Sequence, residues 1–464
     1  MSDPLEKAKA RQKNYRWTNK LLTLAYNLPE TNPTGEKKIV AKLFAGDWVE
    51  VLGEEGKEAN VKFRGGAGYI PKESVGTERT LEIYFIDVGQ GDSILIQTAD
   101  DKRILIDGGK NTGAYSFIKW KYRLEEYTKD FEAIILTHGD QDHCVGLFSI
   151  LNDEHVLVKR IYHNGIAERK KKPTQGKEQE FDKKLMLVEL YNDIEDLTPI
   201  QNDLTPTFKS WFDAVSKAKE NAAKNNIDLK CIRADQNTEP ITLDGDKPLK
   251  VTFLNPINFG TKDAPRLMDF GSDGETINGN SVAVLIEYGK AKILLCGDMN
   301  EKAEKTFLQH TNIAAPMAQV FKANHHGSQH FTTDFLKAVQ PWISVVSSGD
   351  DPDYGHPRAV LLGSLGHYAP NAIEEPLLFS TEVAATFKPV TVKSGDKGYQ
   401  LYEKTTHGLI NVRTNGEWIA AGRVYNVQKK TKDGKPAKSL WDWEKYAFNL
   451  KNAKPLTDDL LEQP

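Results

Sequence analysis

Cysteine is scarce in this chain, and long apolar runs are absent from it. The 464 residues include three cysteines, Cys144, Cys231 and Cys296, which are far apart and odd in number. This pattern excludes a disulfide framework and favours a reducing cytosol, so we predict a cytoplasmic protein. No window holds the roughly 18 consecutive apolar residues of a membrane-spanning helix, so we predict that the chain is not a membrane protein and has no membrane partner.

A strong excess of charge of one sign is also lacking. The chain has 61 Lys+Arg and 65 Asp+Glu, a formal net charge of −4, and 39% of its residues are hydrophobic. The near-neutral net charge excludes binding of nucleic acid through bulk charge, but it is compatible with binding through a local basic groove. The apolar fraction is sufficient for a packed core, and the length suggests two to four domains. The start of the chain, MSDPLEKAKARQKNYRW, lacks an apolar core, so we expect no secretory signal.

The patterns of apolar and polar residues divide the chain into four regions. Residues 1–20 form a basic tail. Residues 21–77 show short strands separated by glycine and charged residues, which is typical of a small β-barrel. Residues 80–425 alternate near-continuous apolar strands with loops and helices, the pattern of buried sheets in an α/β domain. Residues 426–464 form a C-terminal extension.

A charged insertion at residues 164–250 interrupts the α/β region. It is polar, opens with the basic run ERKKKPTQGK, and has helical periodicity around Leu185–Leu197 and Phe208–Asn225. Such a charge run is usually a solvated face, and contact with nucleic acid or a partner is the alternative.

The N-terminal barrel resembles a bacterial SH3 domain. The resemblance is carried by Leu43, Gly46, Val49, Val51 and Leu52, followed by Gly68-Tyr69-Ile70-Pro71. It implies a module that docks a protein partner or a second copy of the chain, with a purely structural cap as the alternative. Because Gly76-Thr77-Glu78 has the composition of a linker, we expect that residues 1–76 can be removed without unfolding the rest.

A dense group of potential metal ligands follows the apolar strand FEAIIL. The segment Thr137-His138-Gly139-Asp140-Gln141-Asp142-His143 places four such side chains within six residues. His138 and Asp140 share one face of an extended loop, and Asp142 and His143 can cap the next helix and point into the same pocket. A solvated polar turn is the alternative, but three distant segments fit the same plan.

Each of these three segments follows an apolar strand. The first ends in Asp107-Gly108-Gly109, the second in Gly297-Asp298, and the third continues as Lys322-Ala323-Asn324-His325-His326-Gly327-Ser328. Ligands that distant segments bring to one edge of a sheet form a metal site held by the fold itself. A carboxylate such as Asp298 can bridge two cations and offset their charge.

Together these motifs resemble the metallo-β-lactamase superfamily, whose HxHxDH signature corresponds to HGDQDH here. The similarity is closest to the hydrolase domain of ComEC-type competence proteins, through DVGQGDS (Asp87–Ser93), ANHHGS and Tyr354-Gly355-His356-Pro357. It spans about residues 81–362 outside the insertion. The resemblance implies an α/β fold, a four-layer αββα sandwich, that binds one or two divalent cations per chain. The ligands it implies are His138, Asp140, Asp142, His143, Asp298 and His325.

Departures from the superfamily pattern favour a hard cation. Asp140 replaces the second histidine of the signature, and Asn278-Gly279-Asn280-Ser281 lacks the further histidine found there in the superfamily. Oxygen ligands suit Mn²⁺ and Mg²⁺, whereas imidazole and thiolate suit Zn²⁺. We therefore expect Mn²⁺, with Zn²⁺ or Mg²⁺ as alternatives. His163, at the end of the strand RIYH, is expected to be a packing residue, with ligation or substrate contact as the alternative.

The reaction implied by the resemblance is phosphodiester hydrolysis by a metal-activated hydroxide, and a DNA or RNA substrate would make the chain a nuclease. The predicted catalytic residues are Asp142, His326 and His356. The predicted substrate contacts are Lys322, Ser328, Arg169, Lys170, Lys171 and Lys172. Two alternatives stay open: a hydrolase of a small cyclic nucleotide or other ester, and a metal-binding regulatory protein without activity. A nuclease joined to a docking module would also suit antiviral defence.

Overall fold

The computed structural model describes residues 14–30, 35–245, 247–349, 355–381, 385–394, 397–406, 408–427 and 440–456. Contacts divide the chain into two units, Met1–Glu82 with Asn411–Pro464, and Ile83–Ile410. Residues 1–13 of the predicted tail lie outside the described ranges. Among the helices that are described, none is long and apolar enough to cross a bilayer.

The N-terminal part of the first unit is a seven-stranded antiparallel sheet. Its strands are β1 (Tyr15–Thr18), β2 (Leu22–Tyr26), β3 (Ile39–Phe44), β4 (Trp48–Glu55), β5 (Glu58–Phe63), β6 (Gly66–Pro71) and β7 (Val75–Gly76). They pair in the order β3-β2-β6-β5-β4-β1-β7. Alternate side chains point inward, as Thr23 and Ala25 do in β2, and the buried core includes Val49, Val61 and Ile70. The likeness of this sheet to an SH3 barrel stays a prediction.

The second unit contains a first mixed sheet near its N-terminus. The strands of this part are β8 (Leu81–Phe85), β9 (Ile94–Gln97), β10 (Arg103–Ile106), β11 (Lys129–Phe131), β12 (Ala133–Ile135), β13 (Val156–Val158), β14 (Arg160–His163), β15 (Glu178–Phe181), β16 (Lys184–Leu187) and β17 (Lys230–Arg233). Six of them pair in the order β17-β14-β12-β10-β9-β8. Strands β10, β12, β14 and β17 run parallel to one another, and β9 is antiparallel to β10. Strands β8, β9, β10 and β12 are buried along their whole length, as their nearly continuous apolar sequences predict, whereas the edge strand β17 is only partly buried.

A second mixed sheet follows in the same unit. The strands are β18 (Ile241–Leu243), β19 (Leu249–Asn255), β20 (Leu267–Met268), β21 (Ala283–Tyr288), β22 (Ala291–Leu295), β23 (Val320–Lys322), β24 (Ile343–Val346), β25 (Leu377–Ser380), β26 (Ala385–Ser394) and β27 (Lys397–Thr406). Seven of them pair in the order β18-β19-β21-β22-β23-β24-β25, and β22 to β25 are parallel. Strands β26 and β27 form a separate antiparallel hairpin.

Helices pack against both sheets of the second unit. They are α1 (Gly113–Tyr122), α2 (Gln141–Asn152), α3 (Pro206–Lys224), α4 (Asp273–Gly279), α5 (Glu301–His310), α6 (Thr333–Val339) and α7 (Ala359–His367). Helices α1 to α3 share one buried apolar cluster with the first sheet, and α5 to α7 share another with the second sheet. These elements are the components of the predicted αββα sandwich, and the four-layer stacking itself stays a prediction.

The segment 164–250 contributes to the core of this unit, although the sequence suggested an insertion. The predicted helix over Phe208–Asn225 is present as α3, where Thr205 caps the N-terminus and Trp211 is buried in the same cluster as α1 and α2. The predicted helix over Leu185–Leu197 is wrong. Its first residues form β16, which pairs with β20, and Ile194–Ile200 form a 3₁₀ helix. Strand pairing with a distant segment therefore overrides the local helical periodicity.

The first unit also includes strands from the C-terminal part of the chain. These are β28 (Ile410–Thr414), β29 (Trp418–Val427) and β30 (Leu440–Asn449), and β29 pairs antiparallel with β30. Trp418 and Ala447 share a buried cluster with Leu21 and Phe44, so this unit draws its core from both ends of the chain. The boundary near residue 411 differs from the one predicted at residue 426. Removal of residues 1–76 alone would expose the buried face of Trp418.

Candidate metal centre

Loops at the carboxyl ends of parallel strands supply the candidate ligands. Asp107 follows β10, and the segment from His138 to His143 follows β12. Asp298 follows β22, and a short 3₁₀ turn with His325 and His326 follows β23. The carboxyl ends of parallel strands share one edge of a sheet, which is where α/β folds place their ligands.

Four buried side chains form the tightest cluster of metal-ligating groups among the described residues. They are Asp92, His143, Asp298 and His326, with one ligand atom of each within 4.8 Å of the others. Nε2 of His326 lies 2.9 Å from Oδ2 of Asp298, and Nε2 of His143 lies 3.3 Å from the same oxygen. Oδ2 of Asp142 lies 3.2 Å from Nε2 of His326. These atoms converge on a space where a cation would be shared.

The Nδ1 atoms of His143 and His326 are held by groups outside the cluster. Nδ1 of His143 lies 2.8 Å from Oδ2 of the buried Asp107. Nδ1 of His326 lies 2.9 Å from the carbonyl oxygen of Ser347, which can only accept, so this nitrogen carries the proton. The lone pair of each imidazole is therefore on Nε2, the atom that faces the carboxylates. Metal-ligating histidines are commonly oriented by such partners.

His138 is oriented in the same way and has an unpartnered atom. The hydroxyl of Thr137 donates to Oδ2 of Asp107 at 2.7 Å, so it accepts from Nδ1 of His138 at 3.0 Å. Nε2 of His138 is fully buried and has no hydrogen-bond partner. Buried polar atoms are rarely left unpaired, so this atom fits a metal ligand.

Helix α2 begins at Gln141, so Asp142 and His143 lie inside its first turn and do not cap it as the sequence suggested. Asp140 occupies the N-cap position and makes no side-chain capping hydrogen bond. Its Oδ2 lies 3.6 Å from Nε2 of His138, and Asp142 lies in the first turn of the helix. The Asp140 carboxylate is thus available beside the unpartnered imidazole nitrogen.

The cluster carries an excess of negative charge. Burial disfavours a charged imidazole, yet Asp298 and Asp107 raise the pKa of His143 well above its usual range. When the imidazoles are neutral, as metal binding through Nε2 requires, the five carboxylates and one ammonium leave four uncompensated negative charges, those of Asp92, Asp107, Asp140, Asp142 and Asp298 against Lys322. Two divalent cations carry the same charge. The donor set and the charge therefore fit one or two divalent cations.

Comparisons with known proteins agree with this geometry. Residues 86–213 match the model of the metallo-beta-lactamase superfamily. The chain carries a metallo-beta-lactamase superfamily domain. It is also a distant homologue of ComE operon protein 3 of Bacillus subtilis, with 24% identity over 306 residues, 62% of this chain and 31% of that protein.

Two further similarities are more limited. Recombination protein 2 of Haemophilus influenzae is 29% identical over 92 residues, 20% of this chain and 11% of that protein. The chain thus spans about a third or less of the length of these two relatives. The crystal structure of a diphosphatase from the PhnP family aligns with a TM-score of 0.29 and 12% identity, over 70% of this chain and 99% of that one.

Within the candidate metal centre, the double histidine differs from the prediction. The sequence favoured His325 as the ligand and His326 as a catalytic group. The structure buries His326 inside the cluster, whereas Nε2 of His325 lies 4.0 Å from Oδ2 of Asp298 and its ring is partly exposed. Both residues have a positive φ, 47° and 52°, so the backbone turn decides which ring faces the carboxylates.

Two of the predicted substrate contacts are buried. The Lys322 side chain is fully buried and forms an ion pair with Asp92, so it cannot reach a substrate from this position. Ser328 is also buried, and its hydroxyl accepts from the backbone N–H of His330. Asp92 was not among the predicted site residues. The signal that pointed to it was its place in DVGQGDS, where Gly91 lets the loop approach α2.

His356 and His163 have different surroundings. The ring of His356 lies 5.7 Å from that of His325 and is half-buried. Burial, together with His325, His326 and Arg358, lowers the pKa of His356 to about 4. His163 stacks on Tyr191 at 4.1 Å, its Nε2 donates to the carbonyl of Asn192, and burial lowers its pKa to about 3. His163 is therefore a neutral packing residue.

The basic run offers fewer free cations than the sequence suggested. Arg169 is mostly buried and pairs with Glu189 at 2.8 Å. Lys170 is exposed and donates to the carbonyl of Asn202, and Lys171 and Lys172 are exposed. Of the four substrate contacts predicted in this run, the three lysines, and not Arg169, are thus the residues that a polyanion could contact.

Proposed function

We propose that this chain is a metal-dependent phosphodiesterase that cleaves DNA or RNA. One observation carries the proposal: three buried imidazoles, His138, His143 and His326, have their Nδ1 atoms held and present Nε2 beside shared carboxylates. Such an arrangement costs stability unless a cation neutralises the carboxylates. A non-catalytic metal-binding protein would use the same donors, and we favour a hydrolase because residues 86–213 match the metallo-beta-lactamase superfamily.

The residues divide into two donor sets. One consists of Asp298, His143, Asp142 and His326, and the other of His138 and Asp140. The second set contributes a single imidazole and is rich in oxygen, which favours Mn²⁺ or Mg²⁺ over Zn²⁺. When bound, such cations supply a nucleophile at neutral pH and stabilise the charge of a phosphoryl transition state.

The chain's own side chains would orient the substrate and keep the donor sets in place. Asp107 binds the backbone N–H and hydroxyl of Thr137 and Nδ1 of His143, so it holds the ligand loop. His356, beside the partly exposed His325, would donate a hydrogen bond to a phosphoryl oxygen. Such prepositioned donors stabilise charge without reorganisation during the reaction.

Two lines of support favour a nucleic acid as the substrate. The three exposed lysines Lys170–Lys172 offer positive charge to a polyanion. The name of the Haemophilus influenzae relative, Recombination protein 2, refers to a process of nucleic acids. Docking of a protein partner or of a second copy through residues 21–77 remains a further prediction.

A small cyclic nucleotide is the second candidate substrate, and one observation favours it. Arg169, the only arginine of the basic run, is occupied by Glu189, which reduces the charge available to a long polyanion. A small substrate needs only the cations and a few hydrogen-bond donors near them.

The test uses the purified full chain, single-stranded DNA, duplex DNA, RNA and a cyclic dinucleotide. Each is incubated with Mn²⁺, Mg²⁺ or Zn²⁺ in turn, with Asp298→Asn as the inactive control. We expect cleavage of a polynucleotide, fastest with Mn²⁺ and abolished in the control. Cleavage of the cyclic dinucleotide alone would favour the second candidate. Stoichiometric metal with no hydrolysis of any substrate would contradict the proposal.

A further inference from the structure

Lys322 is a fully buried lysine at the edge of the metal centre. It is the last residue of β23, a central strand paired with β22 and β24, so its backbone position is fixed. Its ammonium contacts Oδ2 of Asp92, lies 3.6 Å from Oδ1 of Asp298, and donates to the carbonyl of Gly297 at 3.1 Å. A buried ammonium is costly unless such partners surround it.

The two carboxylate oxygens of Asp298 face different groups. Oδ2 is directed to Nε2 of His143, at 3.3 Å, and to Nε2 of His326, at 2.9 Å. Oδ1 is buried, makes no hydrogen bond, and has the ammonium of Lys322 as its nearest charged group. The attraction of Oδ1 to the ammonium therefore fixes which oxygen faces the imidazoles.

The partner of Lys322 is connected to the same centre. Oδ1 of Asp92 lies 3.6 Å from Nδ1 of His326, the nitrogen that donates to Ser347. Lys322 thus contacts Asp92 behind His326 and lies beside Asp298, whose Oδ2 faces both His143 and His326. The positions of two candidate ligands, Asp298 and His326, therefore depend on the position of the Lys322 ammonium.

We propose that Lys322 is a positioning residue that turns Oδ2 of Asp298 toward the metal site and leaves Oδ1 outside it. The substrate contact predicted from the sequence is replaced by an internal role. This inference rests on the metal centre proposed above, and it concerns metal affinity and not the substrate. An internal cation could also act in the opposite way, because its charge repels a metal ion. The sign of the change in affinity therefore separates positioning from simple repulsion.

The experiment measures Mn²⁺ affinity of the full chain by titration with detection of free Mn²⁺. Lys322→Met keeps the length of the side chain and removes the charge, and Lys292→Met on the neighbouring strand β22 is the control. We expect Lys322→Met to weaken Mn²⁺ binding by about tenfold to hundredfold, the usual effect of removing a partner that orients a ligand. The control should bind as the parent does, since Lys292 is partly exposed and faces Glu287. Equal or tighter binding by Lys322→Met would overturn the proposal.

A second variant separates positioning from neutralisation of Asp92. The double variant Lys322→Met, Asp92→Asn removes both charges of the buried pair and so avoids an uncompensated carboxylate, which protects folding. We expect it to bind Mn²⁺ as weakly as Lys322→Met, with a midpoint of unfolding in chelator close to that of the parent. Restoration of parent affinity in the double variant would overturn the proposal, because Lys322 would then only compensate Asp92.

The proposed hydrolase function and the proposed role of Lys322 are decided by different results. A parent that binds Mn²⁺ and cleaves nothing would refute the hydrolase and leave the role of Lys322 to be decided by the affinities. A parent that binds no divalent cation would overturn the metal centre and this inference with it. If Lys322→Met does not fold, the double variant alone decides.

Discussion

Substitution of one histidine at a time in the His325-His326 pair is the sharpest test of the metal centre. The two residues have the same chemistry and the same turn, and both have a positive φ. His326 presents Nε2 at 2.9 Å from Oδ2 of Asp298 and at 3.2 Å from Oδ2 of Asp142. For His325 the distance to Asp298 is 4.0 Å. Each variant is therefore the matched control of the other.

The size of the effect follows from the number of ligands. Four-ligand zinc sites bind with roughly 10–16 kcal/mol, which is about 2.5–4 kcal/mol for each ligand. Removal of one ligand then weakens binding by about two to three orders of magnitude. We expect this weakening for His326→Ala, and a change of less than about fivefold for His325→Ala, whose partly exposed ring is not held in the cluster.

Two measurements check this expectation. Elemental analysis gives the metal content after gel filtration, and titration with Mn²⁺ gives the dissociation constant. Circular dichroism in chelator verifies that both variants are folded. If His325→Ala loses metal and His326→Ala retains it, His326 is not the ligand and the sequence-based preference for His325 is restored.

Three further predictions concern the surface, the packing and the pH dependence. Replacing Lys170–Lys172 with Ala should lower the slope of log K against log[salt] for binding of DNA or RNA by about 0.7–0.9 for each phosphate that is no longer neutralised. The control, Ala at the exposed Lys224, Lys262 and Lys290, should leave this slope unchanged. Equal slopes in the two variants would show that the run is only a solvated surface. Gly146→Ala should destabilise the second unit by about 1–3 kcal/mol in urea, because a Cβ there would lie 1.9 Å from the carbonyl oxygen of Gly108. Its control, Gly274→Ala in α4, has nothing within 4 Å and should not destabilise. Burial raises the pKa of Glu304 to about 7, so the folded state retains a proton that the unfolded chain releases above about pH 4.5. The free energy of unfolding, measured in chelator, should therefore fall as the pH rises to 7, by at most ~1.4 kcal/mol per pH unit. Glu304→Gln should flatten this slope, and an unchanged slope would assign it to other groups.

Local sequence patterns were sufficient to predict the candidate ligands that lie at the ends of strands. His138, Asp142 and His143 follow one apolar strand and Asp298 follows another, and the structure brings all four together. The runs of apolar residues also indicated most strands, because strands buried on both faces have no polar alternation. The order of the strands in each sheet was not predicted, since it depends on pairing between distant segments.

The remaining parts depend on packing between segments that are distant in the chain. Which of His325 and His326 faces the carboxylates follows from two positive φ angles, which neither residue type indicates. Lys322 ends an apolar strand, where a lysine normally reaches solvent, and its burial is explained only by Asp92 from another segment. Asp92 itself enters the cluster because Gly91 allows a close approach, since a Cβ there would lie 1.9 Å from the carbonyl oxygen of Asp142.

The ligands of the metal centre come from both sheets of the second unit. His143 follows β12 of the first sheet, whereas Asp298 and His326 follow β22 and β23 of the second. A shared cation would therefore act as a removable cross-link between segments far apart in the sequence. Its contribution to stability would grow with its free concentration, by about 2.7 kcal/mol at a hundredfold excess over the dissociation constant. At a low concentration of this cation a smaller fraction of the chain would be folded, so the supply of the metal would influence the abundance of the protein.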